Sequence, residues 1–117
     1  MTWGYHLILD CSKCNRDMIT SDDSIKDFFI KLIPMIGMQP VGDPMIEYLL
    51  PRTPNAGFSA MQMISTSNIT AHFVDATCEG YIDLFSCKKF DPAVVKQFVQ
   101  DWFRPETIKE TFLERQA

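Results

Sequence analysis

Two stretches of this chain carry apolar residues at helical spacing, and a run of short extended segments lies between and around them. Ile25, Phe28, Phe29, Leu32, Ile33 and Ile36 fall on one stripe. Ser21-Asp22-Asp23 supplies the N-cap and acidic first turn ahead of it, and Gly37 closes it as the residue just past the cap. Val94, Val95, Phe98, Val99, Trp102 and Phe103 form the second stripe, opened by Asp91-Pro92 and ended by Pro105. Extended segments are expected at Tyr5–Asp10, from about Gln39 to Leu50 with an edge or bulge at Gly42-Asp43-Pro44, and at Phe58–Ile64, Ile69–Val74 and Tyr81–Ser86. Ile108–Leu113 reads as a last strand, while Cys11–Thr20 and Pro51–Gly57 read as loops. The order β-α-β-β-β-β-α-β predicts an α+β two-layer sandwich, an antiparallel sheet with two helices on one face. The other face then needs a cover, and a second copy of the chain supplies one.

At 117 residues, 46% of them hydrophobic, the chain has room for one small core, so residues 1–117 are read as a single domain. A formal charge of −4 argues against nucleic acid as a partner. No apolar run approaches membrane-spanning length and residues 1–10 are too polar for a signal segment, so a cytoplasmic protein with reduced cysteines is expected. Cys11-Ser12-Lys13-Cys14 has zinc-knuckle spacing, but no second pair follows it and no metal site is expected.

The chemistry sits in the middle of the chain. Gly57-Phe58-Ser59 is followed by Thr66-Ser67-Asn68-Ile69-Thr70-Ala71-His72 and then by Tyr81-Ile82-Asp83-Leu84-Phe85-Ser86-Cys87. Ser59 precedes Ser67 by eight residues, Ser67 precedes His72 by five, and His72 precedes Cys87 by fifteen. With the opening Gly4-Tyr5-His6-Leu7-Ile8-Leu9-Asp10, these motifs resemble the short bacterial and archaeal S-adenosylmethionine decarboxylase family, pyruvoyl-dependent and self-processing. The similarity covers nearly the whole chain.

The resemblance implies that Ser67 attacks the carbonyl of Thr66 and that the chain is cut between them. Ser67 then becomes a pyruvoyl group, which forms a Schiff base with an amine substrate and draws off electrons as carbon dioxide leaves. It implies His72 as the base in processing, Ser59 as a positioning hydroxyl and Cys87 as the proton donor in decarboxylation. In a regular strand Ser67 and His72 have opposite parity, so their meeting at one carbonyl requires a bulge near Asn68. The product would be the aminopropyl donor for spermidine synthesis.

The chain departs from the family's pattern at Thr66 in place of Glu, at Asn68 in place of His, and at Val74 and Ala76, where the family has Trp and Glu for the nucleoside. Phe58, Phe73, Asp75 and Asp83 are the candidate substrate contacts in their stead, with Tyr48 beside them. Two other functions stay open on the sequence alone. One is decarboxylation of ornithine or arginine; the other is an uncleaved, silent homologue that acts as a binding or regulatory partner.

Overall fold

The first strand in sequence ends up inside the sheet, between two strands from the far end of the chain. The computed structural model describes all 117 residues. Its elements are β1 (Gly4–Ser12), α1 (Arg16–Ile19), α2 (Asp22–Met35), β2 (Pro40–Leu49), β3 (Gly57–Ile64), β4 (Ser67–Val74), β5 (Glu79–Ser86), α3 (Pro92–Phe103) and β6 (Thr107–Arg115). The strands form one antiparallel sheet in the order β2-β3-β4-β5-β1-β6.

Both long helices form where the periodicity puts them. The Ser21 hydroxyl caps α2 by accepting from the Ser24 N–H, and Gly37 leaves the helix at φ 70°, a conformation that glycine tolerates best. The Asp91 carboxylate caps α3 through the Ala93 N–H, with Pro92 in the first turn. Ile25, Phe28, Phe29, Leu32 and Ile33 of α2 join Val95, Val99 and Phe103 of α3 in a single core. The sheet contributes alternate residues to it: Leu7 and Leu9, Ala60 and Ile64, Ile69, Ala71 and Phe73, Ile82 and Leu84. Helices on one face of an antiparallel sheet were expected, and that is the architecture found.

The segment Cys11–Thr20, expected as a loop, instead completes β1 and forms a third, short helix. Asn15 caps α1 through the Met18 N–H, and Ile19 anchors it in the core. Four residues are too few to show a period, which is why the pattern is silent there. The interruption at Gly42-Asp43-Pro44 is a register shift in β2, an edge strand. The buried Gln62 amide nitrogen lies 2.8–3.3 Å from the carbonyls of Val41, Gly42 and Met63, and so satisfies backbone groups that the shift frees.

Phe73, a candidate substrate contact by sequence, is instead a core residue. It is fully buried, with its ring centroid 4.9 Å from that of Phe103. Phe73→Ala is expected to cost about 3–5 kcal/mol of stability, measured by urea unfolding, because the cavity opens where β4 meets α3.

Candidate active site

Residues of opposite parity to the core set lie on the sheet face that no helix covers. Ser59 and His72 are direct partners in the β3–β4 ladder and belong to this face. Gly57 lets β3 start close against β4, since a Cβ there would lie 1.8 Å from the Phe73 carbonyl oxygen. Ser59 Oγ is 2.5 Å from His72 Nδ1, and His72 Nε2 lies 3.3 Å from the carbonyl oxygen of Asn55. A carbonyl only accepts, so Nε2 carries the proton in the neutral ring. Nδ1 is then the basic nitrogen, and it accepts from the serine hydroxyl. The loop before β3 thus sets the tautomer of the imidazole.

Thr66 and Ser67 lie at the opposite end of β4. Ser65 and Thr66 form a two-residue turn between β3 and β4, with Ile64 and Ser67 as the closing pair. Such turns favour left-handed residues at their centre. Here neither central residue has positive φ, and Ser67 enters β4 at φ 157°, close to extended backbone. The Thr66 carbonyl oxygen accepts the Cys87 N–H at 3.0 Å. The Thr66 hydroxyl accepts from Ser86 Oγ at 2.8 Å and faces Met38 Sδ at 3.4 Å, so this side chain secures the turn. Asn68 Nδ2 donates to Ser67 Oγ at 3.1 Å. Cys87 is exposed and all four cysteines are free thiols.

The four residues expected around one carbonyl are therefore two pairs within the chain. The β3–β4 register runs unbroken from Ser59↔His72 to Ile64↔Ser67, so the bulge expected near Asn68 is absent. Five regular strand residues put Ser67 about 17 Å from His72 along β4. Ser67, Thr66 and Cys87 gather at one end of the strand; Ser59 and His72 gather at the other.

The remaining substrate candidates scatter. Phe58 packs against the core on the helix side, edge-on to the Tyr48 ring at 5.3 Å, so neither ring shares a face with His72. Asp75, in the turn after β4, accepts from the Tyr48 hydroxyl at 2.7 Å. Asp83 is on the open face but pairs with His6 Nε2 at 2.9 Å. Cys11 and Cys14 are buried; the Cys11 thiol donates to the Cys14 sulfur, which raises the pKa of Cys11 and lowers that of Cys14. No cluster of three or more His, Cys, Asp or Glu side chains is placed to hold a metal ion, and no helix is long and apolar enough to cross a membrane.

Around the Ser59–His72 pair the open face forms a groove of about 520 Å³, lined by Met45, Glu47, Leu49, Met61, Tyr81 and Asp83 among others. Its position was not legible beforehand, because it is made by strands whose adjacency only the sheet order reveals. The Asn55 carbonyl and the Cys87 N–H are main-chain groups and leave no trace in residue type.

The fold is that of a solved enzyme: the crystal structure of the adenosylmethionine decarboxylase from Aquifex aeolicus superposes with a TM-score of 0.82, covering 99% of this chain and 92% of that one at 17% identity. A family model described as S-adenosylmethionine decarboxylase matches residues 5–116, and the chain belongs to that family. An S-adenosylmethionine decarboxylase proenzyme from Clostridium botulinum is 30% identical over 110 residues, 92% of this chain and 90% of the relative. Another, from Oceanobacillus iheyensis, is 26% identical over 99 residues, 84% of this chain and 75% of the relative.

Proposed function

We propose that this chain cuts itself between Thr66 and Ser67 and then decarboxylates S-adenosylmethionine, yielding the aminopropyl donor for spermidine synthesis. The observation that carries the reading is the Thr66–Ser67 junction. A serine hydroxyl at the mouth of a two-residue turn follows a carbonyl whose oxygen already holds an N–H donor. Attack of Ser67 Oγ on the Thr66 carbonyl carbon places charge on that oxygen, and the Cys87 N–H steadies it. The reaction consumes only the backbone carbonyl of Thr66, so the absence of Glu from this position does not remove a reacting group.

These residues fit a pyruvoyl group, with Ser67 as its precursor and Cys87 beside it. Once formed, a pyruvoyl ketone supplies the electron sink for loss of carbon dioxide from an amine. The Cys87 thiol, exposed at the end of β5, holds a proton for the carbon left behind.

Completing the site takes the imidazole, which this chain carries about 17 Å away. A second copy packed over the open sheet face and the β3–β4 turn, where the open-face Asn68 amide holds the Ser67 hydroxyl, brings its Ser59–His72 pair to the Ser67–Cys87 end of the first, and the two-fold repeats the arrangement. The apolar side chains exposed on that face support such packing: Met45 is 59% exposed, Met61 49% and Met63 63%. Each complete site then draws on both copies, with His72 removing the proton that lets the ester intermediate open.

The test is the mass of the purified protein together with carboxyl-labelled S-adenosylmethionine. Fragments 1–66 and 67–117 are expected, the second with a blocked N-terminus that reacts with a carbonyl reagent, along with release of labelled carbon dioxide. An intact chain that takes up no carbonyl reagent refutes the proposal.

A further inference from the structure

Resting on the decarboxylase reading above, we infer that Tyr81 and Glu79 form the subsite for the nucleoside end of the substrate: the phenol ring stacks the base and the carboxylate receives the ribose diol. Tyr81 is the direct cross-strand partner of His72, and Glu79 is that of Val74. Both side chains therefore project on the uncovered face, on the strand next to the imidazole. Tyr81 is 40% exposed and lines the same groove as Ser59 and His72, a large ring left open to solvent beside a reactive pair. The Tyr81 hydroxyl donates to Glu79 Oε1 at 3.1 Å, which fixes the ring and the carboxylate relative to each other. That hydroxyl also has its pKa raised by the hydrogen bond to Glu79, so the phenol stays a donor and the carboxylate an acceptor.

The chemistry matches a nucleoside better than any other part of S-adenosylmethionine. A purine offers a flat face of the size a tyrosine ring covers, and adjacent hydroxyls offer two donors to one carboxylate. Glu79 Oε1 accepts from Tyr81 while Oε2 has no protein donor, so the group has lone pairs to spare for a diol. No other ring on the open face is both exposed and bonded to a carboxylate: Phe85 has no polar atom, and Tyr48 lies on the helix side.

Calorimetric titration of the purified protein with 5′-methylthioadenosine and with its 2′-deoxy counterpart tests this. The unsubstituted protein is expected to prefer the ribonucleoside by about tenfold. Glu79→Ala should weaken the ribonucleoside by about that factor and bring the two affinities together. Tyr81→Leu should weaken both ligands about tenfold and keep their ratio, and Tyr81→Phe should restore most of the loss by returning the ring. A Glu79→Ala protein that still prefers the ribonucleoside, or a Tyr81→Leu protein that binds both as well as the unsubstituted chain, overturns the inference. Fragment masses from the same samples separate the two readings. Cleaved protein with an unaltered preference discards the subsite alone, whereas uncleaved protein that binds neither nucleoside discards the subsite and the decarboxylase together.

Discussion

Replacing Ser67 with alanine leaves the purified chain in one piece and takes carbon dioxide release below detection. The substitution removes one oxygen, the nucleophile, while leaving the Thr66 carbonyl and its Cys87 N–H donor in place. Alanine keeps the Cβ and adopts the same strand backbone, so the hairpin keeps its shape and the loss reports chemistry rather than misfolding. Circular dichroism of the variant should overlay that of the unsubstituted protein. Continued cleavage in this variant would place the nucleophile elsewhere and remove the case for Ser67.

The second large effect is a rescue. A chain with His72→Ala lacks the imidazole, a chain with Ser67→Ala lacks the hydroxyl, and each alone is expected to stay uncut. Co-expressed in equal amounts, they should yield cut His72→Ala chains and about a quarter of the normal number of working sites. Half of the dimers are mixed, and each of those holds one site with both residues. The expectation rests on the separation of Ser67 from His72 along an unbroken strand and on the proposed sharing of the site between two copies. If a single chain assembled the whole site, mixing would restore nothing. The cut falls in the chain that keeps its serine, so mass spectrometry identifies the rescued partner directly.

Much of the fold was legible because helices announce themselves. Phe28 and Leu32 recur at the right interval, Gly37 and Pro92 mark the ends, and the structure places all four as expected. Strand positions followed from the same apolar patterning, with β4 starting two residues earlier than expected, at Ser67 rather than Ile69. Strand adjacency did not follow. Nothing local in Tyr5–Asp10 says that it lies between β5 and β6, since pairing is a long-range outcome of packing. The site was half legible for the same reason. Residue types and spacing singled out Ser59, Ser67, His72 and Cys87, but spacing along a chain does not fix distance across a sheet. The aromatic character of Phe73 suggests a substrate contact, but its parity, opposite to that of His72, points it toward the helices. The significance of Tyr81 lies in facing His72, which only the register shows.

The place of β1 has a consequence for what a cut would do. Residues 1–66 carry β1, β2 and β3, while residues 67–117 carry β4, β5 and β6. In the sheet β1 is clasped between β5 and β6, and β3 lies against β4. The two pieces are interleaved, so neither can leave without tearing ladders on both sides of a strand. A severed molecule would hold together as one body for as long as it stays folded. Once melted, its halves would have to find each other again by diffusion, so rebuilding even a single copy's sheet would slow on dilution, whereas an uncut chain rebuilds its own sheet at any concentration.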